Sequence, residues 1–224
     1  MEKIKYIFLL ILTFIILYNP TLSTATVYYV KSHGSDNNNG QSIAKAWKTI
    51  RQVSITVFSP GDTIKLEGGN IFEGINTVGA ELWVGQSGTQ NSPIVYTSYD
   101  TTNSGKRAII KADTETFGIY IVKQNYIEIR NINITSNFNP FNPGGAVIIN
   151  NHGLYLLVNS DTNIRFIGIK IDSCSISRFI GCGIISETSS SYAFGDVEIS
   201  NCRIDSVGQH GIYCNASTGK GISK

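Results

Sequence analysis

"IKIDSCSISRFIGCGIIS" (residues 169–186) and "VEISNCRIDSVGQHGIYC" (residues 197–214) carry one pattern twice, 28 residues apart. Superposed, they bring Ile169 onto Val197, Ile171 onto Ile199, Cys174 onto Cys202, Ile176 onto Ile204 and Gly183-Ile184 onto Gly211-Ile212. A third copy, "NYIEIRNINIT" (residues 125–135), aligns 42 residues before the first and adds Ile127, Ile129, Ile132 and Ile134 to the same columns. The steps between columns are two, three and two. A step of two marks a strand with one buried face, because successive side chains point to opposite sides. The step of three sets a corner at Asn131, Ser173 and Asn201. Asparagine tolerates the left-handed backbone that a sharp corner demands.

A further strand opens at a glycine followed by an apolar residue: Gly118-Ile119, Gly153-Leu154, Gly183-Ile184 and Gly211-Ile212. Each copy is thus three short strands with corners, and no copy buries its apolar side alone. Stacking buries it, which is the logic of a solenoid, with coils about 4.8 Å apart. A β-sandwich also uses many short strands, but antiparallel pairing requires no identity down a column. The pattern predicts an all-β parallel β-helix.

The N-terminus reads differently. Lys3 and Lys5 precede an apolar run from Ile7 to Tyr18, broken by Asn19-Pro20 and followed by the small residues Ser23-Thr24-Ala25. That run is short for a membrane span, which needs about 20 residues. It reads as a signal peptide over residues 1–25, cut after Ala25, with an uncleaved anchor as the alternative. Residues 26–60 are expected to cap the open end of the solenoid. In "SIAKAWKTIRQVSITVF" the apolar Ile43, Ala46, Trp47, Ile50, Val53 and Val57 fall on one face of a predicted helix, with Ser42 as N-cap. Residues 61–224 are the coils. The residue after Lys224 would be the counterpart of Val197, so the chain is expected to continue into further coils.

Removing Glu2, Lys3 and Lys5 leaves 16 basic and 15 acidic residues. That balance provides no electrostatic footprint for nucleic acid. The four cysteines, Cys174, Cys182, Cys202 and Cys214, match no zinc spacing. Cys174 and Cys202 share a column with Ile132, so burial explains them and free thiols are expected, although export permits disulfides. "DNNNG" (36–40) lacks the acidic ligands of a calcium loop, with Trp47 where the bidentate Glu would stand, and reads as a turn.

The stretches "YYVKSHGSDNNNG" with "AWKTI", "PGDTIKLEGGNIFEG" and "SGTQNSPIVYTSY", followed by the Gly-Ile-Tyr coils, resemble the secreted right-handed parallel β-helix proteins. That group includes polysaccharide lyases of the pectate-lyase type, glycoside hydrolases and epimerases. The resemblance spans the mature chain and implies the fold, an extracellular polysaccharide partner and no membrane association after leader cleavage. It implies β-elimination at a uronic acid first and hydrolysis second; the rival is a non-catalytic adhesive β-helix. Calcium, used by some pectate lyases with clustered aspartates and a Lys or Arg base, enters by this analogy alone, and those residues have no counterparts here. "GQHG" around His210 matches the Gly-His-Gly of polygalacturonases, without that family's accompanying motifs.

The resembled family carries its groove on the sheet that opens at the glycines. With Ile119, Leu154, Ile184 and Ile212 inward, Tyr120, Tyr155, Ile185 and Tyr213 stand in one outward row. Tyr120, Tyr155 and Tyr213 are therefore the candidate sugar contacts, with cross-strand packing as the bland alternative. Two residues on, Val122, Leu157, Glu187 and Asn215 form the next outward column, where Glu187 is the sole carboxylate. Beside apolar surface it is a candidate general acid or base, against a merely solvated glutamate. His152 and His210 share a column with Phe117 and Cys182, which suggests tucked corner positions; His210 is the second catalytic candidate. The outward columns Glu128/Lys170/Glu198 and Arg130/Asp172/Ser200 read as surface ion pairs. Between Ile134 and Gly153 the corner is twelve residues longer than its later counterparts, and this insertion, with Phe138 and Phe141, is expected to wall the groove.

Overall fold

The computed structural model describes residues 24–73, 79–112, 117–138, 151–158, 167–188 and 195–216. Residues 1–23 of the expected leader, the insertion after Phe138 and the chain beyond Ala216 lie outside these residues. Among those described, no helix is long and apolar enough to cross a membrane.

Strand β1 (Val27–Val30) precedes five coils of three strands each. The coils are β2 (Thr63–Glu67), β3 (Ile71–Phe72) and β4 (Ala80–Val84); then β5 (Ile94–Tyr99), β6 (Ala108–Ala112) and β7 (Phe117–Val122). They continue with β8 (Ile127–Arg130), β9 (Ile132–Ser136) and β10 (Leu154–Val158), then β11 (Ile169–Asp172), β12 (Ser175–Ser177) and β13 (Ile184–Thr188). The last is β14 (Val197–Ser200), β15 (Arg203–Asp205) and β16 (Ile212–Ala216). Like strands stack into three sheets: β1-β2-β5-β8-β11-β14 first, β3-β6-β9-β12-β15 second, β4-β7-β10-β13-β16 third. Neighbouring strands within each sheet pair in parallel, so the fold is a parallel β-helix.

The register is that of the columns. Ile127, Ile169 and Val197 are consecutive partners, as are Ile129, Ile171 and Ile199, Ile134, Ile176 and Ile204, and Ile119, Leu154, Ile184 and Ile212. In the middle coils these side chains are removed from solvent, each burial stabilising by about 1.5–3 kcal/mol. In the last coil Val197, Ile199 and Ile204 are only half-buried and Ile212 is exposed. The corner residues Asn131, Ser173 and Asn201 have φ of 57°, 54° and 52°, the left-handed conformation the spacing requires. Asp172 ties two corners together, accepting from Asn201 Nδ2 at 2.8 Å and Ser200 Oγ at 2.9 Å.

The predicted single helix over residues 42–58 is corrected to two short pieces. Ser42 caps a 3₁₀ turn, Ile43–Lys45, and Thr49 caps α1 (Ile50–Ile55). Between them Ala46 and Trp47 are extended, because Trp47 joins the sheet edge: its N–H donates to Tyr29 O and its carbonyl accepts from Lys31 N. The buried indole stacks on Tyr28 at 5.0 Å and donates to Asn38 O at 2.9 Å. Tertiary pairing has overridden helix periodicity, leaving Ile43 and Val57 exposed rather than in the core. Asp36, in the "DNNNG" turn, is used by the backbone: Oδ1 accepts from the N–H groups of Lys48 and Thr49 at the start of α1.

Candidate functional site

The third sheet starts where the coil closes on itself, and in the three middle coils only glycine fits there. A Cβ on Gly118, Gly153 or Gly183 would lie 2.3–2.4 Å from a methyl of Ile134, Ile176 or Ile204, and 2.5–2.7 Å from the next coil's glycine carbonyl. Pinning the backbone this close fixes where the following side chains emerge. The outward row two residues on is therefore in strict register: Trp83, Tyr120, Tyr155, Ile185 and Tyr213.

The row extends one coil beyond the three tyrosines expected from sequence. Trp83 aligns with Tyr120 and is 38% exposed. The repeat did not reveal it, because "AELWVG" lacks the Gly-Ile-Tyr signature; the alternation of Leu82, Trp83 and Val84 was the available signal. The inner members of the row lean on one another. Tyr120 and Tyr155 stack at 5.2 Å with 23° between planes, and Phe117 packs its edge on Tyr155 at 4.7 Å. Their ring faces are used in packing, so edges and hydroxyls are what they present outward. Exposed ring surface lies at the two ends, on Trp83 and on Tyr213, which is also 38% exposed. Four coil steps of about 4.8 Å put these ends about 19 Å apart.

At the Tyr213 end lies a recess of about 440 Å³. His152, Tyr155, Cys182, Ile185, Glu187, Gln209, His210 and Tyr213 line it, so the structure brings Tyr155, Tyr213, Glu187 and His210 together. Tyr120 stands one coil away, outside its lining. The Tyr155 hydroxyl donates to Glu187 Oε2 at 2.5 Å, a diagonal bond across two coils. Burial, then the hydrogen bond to Glu187 and its charge, push the Tyr155 phenol above its ordinary value, so it stays protonated and acts as a donor. Tyr120 is also raised, by burial. Glu187 keeps its second oxygen, Oε1, for other partners.

The two histidines part company. His152 is buried, stacks on Phe117 at 5.8 Å, and accepts the Cys182 N–H on Nδ1 at 2.8 Å. It is tucked in as expected. His210 is not: it is exposed and stacks on Tyr213 at 5.3 Å, since no described strand follows to cover it. The Cys174 and Cys182 thiols are buried and poorly disposed to act as nucleophiles. Burial raises Cys182, and it pushes Cys174 up to about 12. All four cysteines are free.

The residues present do not fit calcium, which takes six to eight oxygen ligands from several carboxylates. The recess offers one carboxylate, already bonded to Tyr155, and no group of three or more metal-ligating side chains occurs among the described residues. Among the charged columns, Lys170 meets Glu198 at 3.3 Å on the neighbouring coil, whereas Arg130 meets Glu128 along its own strand at 3.3 Å. Of the expected groove wall, Phe138 is buried, with its carbonyl accepting from Arg178 Nε at 3.2 Å, and the stretch that holds Phe141 falls outside the described residues.

Three stacked sheets of parallel strands, coil upon coil, define the chain as a parallel β-helix. No family model and no curated protein matches the sequence. Among solved structures the chain is similar to a GH136 lacto-N-biosidase from Eubacterium ramulus, with 16% identity over 87% of this chain and a TM-score of 0.61. It spans 41% of that enzyme's length. It is also similar to the pectate lyase Pel9A, at 16% identity over 82% of this chain and 48% of that one, with a TM-score of 0.47. The likeness to the biosidase, at this identity, shows the fold.

Proposed function

We propose that this chain is the binding part of a secreted protein that holds an extracellular polysaccharide along its third sheet. The carrying observation is the row from Trp83 to Tyr213, in register over five coils and ending beside the recess that holds Glu187 and His210. A chain laid along the solenoid axis meets exposed rings at both ends and tyrosine edges between. Over the recess, Glu187 Oε1 and the His210 imidazole are the groups able to accept or deliver a proton. Glycoside hydrolysis ordinarily requires two carboxylates flanking the bond, and the recess contains one. Elimination at a uronic acid, which begins with a single proton abstraction, is the reaction these residues support. The second reading is a non-catalytic binder, favoured by the bond that already engages Glu187.

The test is incubation with polyuronates and with neutral polysaccharides, following unsaturated-product absorbance and, separately, retention on each polymer. Retention with absorbance supports elimination; retention without it supports the binder. Retention on no polymer sinks both readings.

A further inference from the structure

Asp62 sits in the turn before β2 and is 3% exposed. Lys, Arg and His side chains among the described residues form no ion pair with it. Both carboxylate oxygens instead face backbone nitrogens: Oδ2 accepts from Ser59 N at 2.8 Å, and Oδ1 from Thr26 N at 2.8 Å. Thr26 is the residue that follows the leader's expected cut after Ala25. Its position is fixed from the other side as well, since its carbonyl accepts from Thr63 N at 2.9 Å. Thr24 and Ala25 are exposed, and Ala25 lies over Gly61, whose φ is +93°. A buried carboxylate held by neutral amides is an expensive arrangement, and a cation at one of those nitrogens relieves it.

We propose that Ala25–Thr26 is a processing site, and that the α-ammonium freed there pairs with the buried Asp62 carboxylate to lock β1 onto the first coil. Hydrolysis adds one water across the peptide bond: the leader leaves with the Ala25 carboxylate, and Thr26 nitrogen becomes an amine that takes up a proton. The pairing forms as the exported chain folds, so the half-burial of Thr26 in the folded state does not obstruct the peptidase. In the uncut chain the same nitrogen is an amide, a donor without charge, and β1 is held less firmly. The uncut precursor is thereby less stable than the mature protein, which suits a chain that must stay unfolded until it has been exported. This rests on the export reading above.

The sign of the pH effect follows. An ammonium gaining a carboxylate has its pKa raised above the usual 7.7–8.0 or so of an α-amine. Its contribution is complete below that range and is lost as pH rises through the folded value. The other titratable group facing Asp62 is Tyr96 on β5, whose phenol burial and the Asp62 charge raise above its ordinary value, out of that window.

The full-length gene is expressed in a secreting host and the product's intact mass is measured, with Thr26 expected as first residue. A product starting at Met1 overturns the export reading. A cut leader with any other first residue overturns the processing site alone. A second gene carries one glycine inserted after Ala25, so that the same cut leaves the ammonium about 3.5 Å further along the chain. The Thr26 protein should melt higher than the glycine-extended one, and the gap should close in alkali and in Asp62→Asn. Equal melting of the two proteins at neutral pH overturns the pairing, and does so even if Asp62→Asn fails to fold.

Discussion

Gly153→Ala tests the coil closure on which the outward row depends. The added Cβ would lie 2.3 Å from Ile176 Cγ2, 2.5 Å from Gly183 O and 3.2 Å from Phe179 Cε2. Carbon atoms rest at about 3.5–4.0 Å, so the first contact alone asks for a shift of more than an ångström. Ile176 and Phe179 are fully buried, and the Gly183 carbonyl is fixed by the Leu154 N–H at 2.9 Å. Overpacking costs about 1–3 kcal/mol, and loosening one ladder hydrogen bond adds about 1. A destabilisation near 3 kcal/mol is expected. With a urea m-value of about 2 kcal/mol/M this lowers the midpoint by about 1.5 M. Gly105→Ala is the control: φ is +68° with open space around the site, so backbone strain of about 1–2 kcal/mol is the only cost. Adding Ile176→Ala should not rescue Gly153→Ala, because the carbonyl contact remains. A midpoint shift for Gly153→Ala no larger than the control's would refute the closure argument.

Trp83→Ala and Tyr213→Ala should each weaken polysaccharide binding roughly tenfold, about 1.4 kcal/mol, with little change in melting. Tyr120→Ala should do the reverse, because its ring is engaged in packing; loss of binding only at Tyr120 would contradict the placement of exposed rings. Thiol titration of unreduced protein in denaturant should find all four cysteines reactive, and a missing pair would mean a disulfide. The Asp100 carboxyl is held down to about 2, first by the Thr102 N–H and then by the hydroxyls of Thr102 and Ser104 and the Gly105 N–H. The order it gives residues 100–105 is present above the unfolded value of about 3.9 and lost as pH falls towards 2. The Thr102 amide resonance should report that transition, and a midpoint near 4 would refute it.

Identical columns made the last three coils readable, because a parallel stack demands like residues at like places. The first two coils, β7 apart, escape the alignment for physical reasons. Tyr96 replaces the isoleucine of its column, Ala108 stands where later coils have Ile132, and the Asp100 loop replaces the single left-handed corner residue. The helix failed where Trp47 found a partner across space, which no local periodicity encodes. Tyr155 and Glu187 fall on one face in the sequence pattern, yet their bond is not legible there, since it runs diagonally between two columns on adjacent coils. His210 was misread for a related reason: its column mate His152 is covered by a later coil, whereas His210 is not.

The corners of the solenoid differ in how much chain they admit. From the first sheet to the second, three successive coils turn through almost nothing: Arg130 to Ile132, Asp172 to Ser175, Ser200 to Arg203. From the second sheet to the third the span runs from Ala112–Phe117 to Ser136–Leu154, and from the third to the first from Val122–Ile127 to Val158–Ile169. Variable chain therefore enters along both margins of the third sheet, whereas the border between the other two stays tight in the last three coils and admits a longer loop in the second, from Tyr99 to Ala108. A lineage of such proteins can lengthen or exchange the borders of its aromatic face, and so alter what lies on it, without disturbing a single ladder hydrogen bond. The division between a fixed spine and an editable frame is written into the corner geometry.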